Sequence, residues 1–188
     1  AQSPADLVSD LYAVTGDILH KKGEEQEAFA AYDSCLQWKD DNVMALNNYA
    51  YYLSEKGVDL HKAESMSYKT IKAEPNNGTY LDTYAWILFM EERYADAKTY
   101  IDQALKNRDS TADNSTVLEH AGDIYYMNGI ADESVDFWKK AYTGENQTEV
   151  LAWKIKNRQY ITEEELKKRN APKQKTAATK KSVRKGKN

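Results

Sequence analysis

The sequence predicts an all-α chain, an α-solenoid of about four helix-turn-helix repeats closed by a C-terminal capping helix. Three observations lead there. A motif returns every 34 to 37 residues, with Gly16, Ala50, Ala85 and Gly122 in matching local settings, and a fixed period in this range marks a repeat architecture. Only three prolines and eight glycines occur in 188 residues, while Ala, Leu, Glu, Lys and Tyr dominate. Small and large apolar residues also alternate at helical spacing, as antiparallel helices packed ridge into groove require.

Taken in order, the repeats cover about 9–42, 43–77, 78–111 and 115–146. Each divides into a first and a second helix. Gly23, Gly57 and Gly129 mark three of the inner turns, where a left-handed residue costs glycine least; Glu92-Arg93 takes that place in the third repeat. Small residues on the first helices (Gly16, Ala50, Ala85, Gly122) face two small sets on the second helices. These are Ala28, Ala63, Ala97, Ser134 and Cys35, Thr70, Ala104, Ala141. Leu19, Leu53, Leu88 and Tyr125, then Leu36, Ile71, Leu105 and Tyr142, supply the bulk between them. Pro75 closes the second repeat.

Past the fourth repeat, Thr148–Arg158 carries Val150, Leu151, Trp153 and Ile155 and predicts a helix over the open end of the stack. Thr162-Glu-Glu-Glu165 is a capping box, so capping helices are expected over 148–170 and the solenoid over 1–166. Residues 171–188 hold many lysines and almost no large apolar side chain, and predict a disordered basic tail.

The register resembles the tetratricopeptide repeat family, whose unit wants a large residue, Leu-Gly, Tyr, Ala, an aromatic, Ala and Pro over 34 positions. The resemblance covers about 9–146. Repeat two departs from it: an extra residue sits between Gly57 and Ala63, and Ser67 and Thr70 stand where an aromatic and Ala are usual. Residues 112–114 are extra between repeats three and four. Looser packing at repeat two and a longer loop near Ser110–Asn114 are therefore expected. LNNYAYYL and LDTYAWILF look most like tetratricopeptide proteins of bacterial envelopes, including those of the Bacteroides group. This favours a periplasmic or envelope location, with the cytoplasm as the alternative.

Charge is divided along the chain. From Lys167 onward there are ten Lys or Arg and no acids; removing those ten from 26 leaves 16 basic against 30 acidic residues before them, a net of −14. The folded part is acidic and the end basic. The tail has no aromatic residue for base stacking, so no nucleic acid is expected. The single cysteine, Cys35, cannot close an internal disulfide and falls on a small core position. No stretch approaches the roughly 20 apolar residues of a membrane span. The chain starts at Ala1 with helical pattern almost at once, and reads as a piece of a longer protein.

In the family, first helices line a concave groove. Carried over position by position, the resemblance implies a peptide-binding surface of Asn47, Asn48, Tyr51, Asp82, Thr83, Trp86, Phe89, Glu119, His120, Asp123 and Tyr126. The same positions give Asp10, Ala13 and Asp17 in repeat one, Met90 in repeat three and Met127 in repeat four. The surface reads as an acidic rim around an aromatic middle. The competing reading packs Tyr51, Trp86 and Phe89 between neighbouring repeats. The Lys and Arg with which some members hold a terminal carboxylate are missing from these positions, so a neutral or basic peptide fits better.

Glu119, His120 and Asp123 share a helix and suggest general-acid or metal chemistry, but no second His, no HExxH and no paired nucleophile accompanies them. No catalytic residue, metal or cofactor is expected. His20 and His61, beside lysines, read as solvated. Asn77-Gly-Thr79, Asn114-Ser-Thr116 and Asn146-Gln-Thr148 match the glycosylation sequon but lie in connections, where Asn serves turns. The function expected is a non-catalytic scaffold that binds a peptide or partner protein in the groove. The alternative is a structural subunit of a larger envelope or secretion assembly, contacting partners through its convex face or tail; its oligomeric state is open.

Overall fold

The computed structural model describes residues 2–144 and 146–171. Among them run ten α-helices and no strand: α1 Pro4–Lys21, α2 Glu25–Trp38, α3 Val43–Lys56, α4 Leu60–Ala73, α5 Gly78–Met90, α6 Tyr94–Asn107, α7 Ser115–Met127, α8 Ala131–Ala141, α9 Glu149–Asn157 and α10 Glu163–Asn170. The expected basic tail lies, but for Ala171, outside the described residues.

Side chains set where several helices begin. Ser3 closes a capping box with Asp6, and Thr162 with Glu165, satisfying first-turn N–H groups that have no partner within the helix. Asn42 and Asn77 cap α3 and α5, as Thr148 caps α9. The inner turns carry left-handed residues at Gly23, Gly57 and Gly129. Glu92 takes the same conformation at φ 61° in the third hairpin, which costs a residue with a Cβ on the order of 1 kcal/mol.

Within each hairpin the small positions are fully buried. Ala28, Ala63, Ala97, Cys35, Ala50, Ala85, Ala104, Ala141 and Ser134 all have 0% exposure. Close approach explains the two glycines among them: a Cβ on Gly16 would lie 2.7 Å from Tyr32 Cε1, and one on Gly122 2.3 Å from Trp138 Cδ1. Such contacts are impossible without movement of the buried ring. In the second repeat Ser67 and Thr70 are also fully buried. Thr70 donates to the Ser67 carbonyl at 2.7 Å, while Ser67 Oγ finds no partner. Asp59, left-handed at φ 47°, accommodates the longer turn. The α6–α7 connection spans 108–114, against 39–42 and 74–77 at the earlier junctions.

Hairpins stack so that α4 covers α5 and α6 covers α7. The first helices touch in series, α1 with α3, α3 with α5 and α5 with α7. They therefore line the inner, concave side. His20 does not stand free in solvent as the sequence suggests: its ring stacks on Tyr52 at 3.5 Å, because its position faces the next first helix. His61 is exposed. No helix among the described residues is long and apolar enough to cross a membrane.

Candidate functional site on the concave face

Polar side chains climb the first helices like rungs. Asn48 on α3 donates to Asp17 on α1 at 3.0 Å. His120 Nδ1 on α7 meets Asp82 on α5 at 2.9 Å. Lys154 on α9 reaches both carboxylate oxygens of Asp123 on α7 at 2.8 Å and Glu119 at 3.2 Å. Each helix thus ties its polar face to an acid of the helix before it.

This corrects the expected acidic rim. Asp82, Asp123 and His120 are buried at 8%, 3% and 5% exposure, and each of the two acids is paired, Asp82 with His120 and Asp123 with Lys154. Burial pulls the His120 imidazole down, but the Asp82 carboxylate, with Glu55 and Asp123 behind it, outweighs that and raises it above 6.5. Burial likewise raises the Asp123 carboxyl, with Lys154 pulling the other way. The groove does hold a basic side chain, Lys154, but its contacts with Glu119 and Asp123 occupy it. Its place, 34 residues after His120, is the signal that finds it. Among the described residues no group of three His, Cys, Asp or Glu can hold a metal ion.

The aromatic middle is mostly spent on packing. Trp86 stacks between Phe89, at 4.7 Å, and His120, at 4.1 Å, and donates its indole N–H to Glu55 at 2.9 Å. Phe89 meets Tyr160 edge-on at 5.8 Å, and Tyr126 leans on Trp138 and Tyr160. Tyr160 and the buried Ile161 come from the segment between α9 and α10 and cover that end of the groove. Glu55 is readable as four residues past Tyr51 on one face. Nothing in the repeat period announces Tyr160.

Two cavities open on this face of the described residues. One of about 570 Å³ lies between α3, α5 and the 108–114 connection. Asn47, Asn48, Tyr51, Asp82 and Thr83 line it together with Asn76, Asn77, Asn107, Asn114 and Asp109. The other, about 400 Å³, lies toward α9 and is lined by Glu55, Trp86, Glu119, His120, Asp123, Lys154 and Tyr160. They share Tyr51 and Thr116. Burial raises the Tyr51 phenol, so it is neutral and can donate. Of the expected surface, Phe89 and Tyr126 line neither cavity.

Stacked helical hairpins with an inner face of first helices define an α-solenoid of helix-turn-helix repeats. Solved tetratricopeptide-repeat proteins share this fold: one from Parabacteroides merdae superposes with a TM-score of 0.63 at 20% identity, over 83% of this chain and 59% of its own. A tetratricopeptide repeat-containing protein of Pseudomonas aeruginosa is 35% identical over 66 residues, 35% of this chain and 11% of its own length. The chain thus spans only about a tenth of that relative. PilF of Pseudomonas aeruginosa superposes with a TM-score of 0.68 at 16% identity, over 83% of this chain and 69% of its own. PilW, a type IV pilus biogenesis factor, does so with 0.63 at 18%, over 72% and 61%. At these identities the structures share the fold. No family model matches the chain.

Proposed function

We propose that the chain is a non-catalytic scaffold that holds an extended segment of a partner protein, neutral or basic, in its concave groove. The amide-lined cavity of about 570 Å³ carries this reading. Asn and Tyr side chains there can serve the N–H and C=O groups of an extended backbone, and such cavities on an otherwise packed inner face are the default binding sites of a fold. Asn47, Asn48, Tyr51, Asp82 and Thr83 form the contact surface, Trp86 and His120 its supporting wall. An envelope setting fits the likeness to PilW, itself a pilus biogenesis factor.

Thr116 tests the reading. It is exposed and lines both cavities, so Thr116→Trp plugs the groove without entering the core. Partner capture from the source cell is expected to fail with Thr116→Trp and to survive charge reversal on the second helices, Lys69→Glu and Lys72→Glu. The opposite pattern would move the site to the convex face.

One observation favours the assembly reading as the second choice. Leu7, Leu11, Val14 and Ile18 form an exposed stripe on α1, at 51%, 68%, 48% and 50% exposure. In the repeat register Ile18 stands where Ile87 and Ile124 stand on α5 and α7, and both of those are fully buried. A further helical unit docked end-on would bury the stripe.

A further inference from the structure

An unpaired acceptor gives the larger cavity a chemical preference. Asp17, Asn48 and Asn47 form a line of hydrogen bonds whose direction is fixed at one end. A carboxylate only accepts. Tyr32 donates its O–H to Asp17 Oδ1, and Asn48 Nδ2 donates to the same oxygen at 3.0 Å. With its amide committed there, Asn48 turns its carbonyl Oδ1 to Asn47, whose Nδ2 donates at 3.2 Å. Asn47 is left with a carbonyl. That Oδ1 is buried and has no partner, on a residue only 6% exposed. Flipping the Asn47 amide would set carbonyl against carbonyl, so the orphan follows from Asp17 rather than from a choice of rotamer. A buried acceptor without a donor is costly to leave unmade.

The rest of the wall supplies charge. Asn47 lines the cavity with Asp82, Asp109 and Asp113. The hydrogen bonds from Thr111 to Asp109 and from Ser115 to Asp113 hold both carboxyls below the usual range, hence ionised. The lining also holds one cation, Arg108, which donates to the Leu105 carbonyl at 2.5 Å and keeps its charge, so the wall carries three carboxylates against one guanidinium. Asp109 and Asp113 belong to the lengthened connection that holds the three extra residues. Gly78 lets that connection lie against α5: a Cβ there would meet Asn107 O at 3.0 Å and Arg108 Cα at 3.1 Å.

Resting on the concave-groove reading, we propose that this cavity is a specificity pocket for a cationic side chain, a lysine or arginine of the partner segment. Its charge faces Asp109 and Asp113, and its N–H groups reach Asn47 Oδ1 as that side chain, closed to solvent in the free chain, turns into the cavity. A charge-assisted donor is the strongest partner the orphan carbonyl can meet.

The test is a nuclear magnetic resonance titration of the ¹⁵N-labelled 188-residue chain with Nα-acetyl-lysine amide. Nα-acetyl-norleucine amide, which has the stem without the ammonium, is the control. Lysine amide is expected to shift the Asn47 side-chain amide and the backbone of 109–115 saturably, and to bind at least about tenfold more tightly than the norleucine compound. The double variant Asp109→Asn/Asp113→Asn, at exposed positions, is expected to lose about tenfold while its other resonances stay in place. Equal shifts from both compounds, no saturation, or shifts confined to acidic residues elsewhere would overturn the pocket. The Thr116→Trp capture result decides the groove reading separately, so a groove that binds its partner but ignores lysine removes this proposal alone.

Discussion

The indole of Trp138 lies directly on Gly122 and donates its Nε1–H to Asp123, the next residue, at 2.8 Å. The first repeat repeats the arrangement: Tyr32 covers Gly16 and donates its O–H to Asp17. In both, a Gly-Asp pair on the first helix receives a large polar aromatic from the second helix, which fills the space the glycine leaves and pairs with the acid beside it. The middle repeats carry Ala50 and Ala85 instead and place Ser67 and Ile101 opposite. Size is exchanged across the crossing: glycine with a large ring, alanine with a smaller side chain.

Gly122→Ala therefore sets two effects against each other. Alanine favours the helix by about 1 kcal/mol, yet its Cβ would sit 2.3 Å from a ring that is fully buried. Overpacking of this kind costs about 1–3 kcal/mol, and the net is expected to be destabilising. A thermal melt checks it. A rise in melting temperature would show that Trp138 can move aside. Ala85→Leu, at another 0% exposed crossing, is expected to lose a similar amount.

Much of this was legible in the sequence because the period is a packing constraint. Gly16, Ala50, Ala85 and Gly122 must be small for helices to cross, so they recur whatever the function. Ligand-facing positions carry no such obligation. Asp82, His120 and Asp123 stand at the positions the family uses for ligands, but whether a polar side chain there points to a ligand or to the next helix depends on its neighbour one repeat away. Asp123 turns inward because Lys154 arrives from α9, and Phe89 is covered because Tyr160 folds back. Both come from the capping segment, where the repeat pattern ends and sequence period stops informing.

Lys154→Met tests that capping segment. Lys154 and Asp123 are each 3% exposed, and removing the ammonium leaves a buried carboxylate with Trp138 as its remaining donor. Breaking a buried pair on one side costs about 3–5 kcal/mol. Chemical denaturation of Lys154→Met, Asp123→Leu and the double variant is expected to show the double variant more stable than the sum of the two losses. Strict additivity would mean that the two groups do not depend on each other.

His120 makes stability depend on pH. Its pKa is raised in the folded chain above the ordinary 6.5. The contribution is therefore complete below about pH 6.5, the unfolded value, and is lost as pH rises through the folded value. Asp123, also raised, acts in the same direction at its own pH, so the informative quantity is a difference between variants. As pH rises above about 6.5, the melting temperature of the native chain is expected to fall by more than that of His120→Gln. Equal falls would show that His120 is neutral throughout, held by Asp82 as an ordinary hydrogen-bond donor.

Trp86 separates packing from recognition. A free binding anchor tolerates truncation until its partner is present, whereas a packed ring does not. Trp86 is 9% exposed, sandwiched by Phe89 and His120, and bonded to Glu55. Trp86→Ala is expected to destabilise the free chain by about 3–5 kcal/mol, the range for a buried aromatic. Trp86→Phe keeps a ring on His120 and releases Glu55, which can turn to solvent, so its loss should be well under half as large. Partner affinity measured on the stable Trp86→Phe variant then reports recognition without unfolding. An unchanged melting temperature for Trp86→Ala would show that the ring is not part of the core, and would return Trp86 to the contact surface.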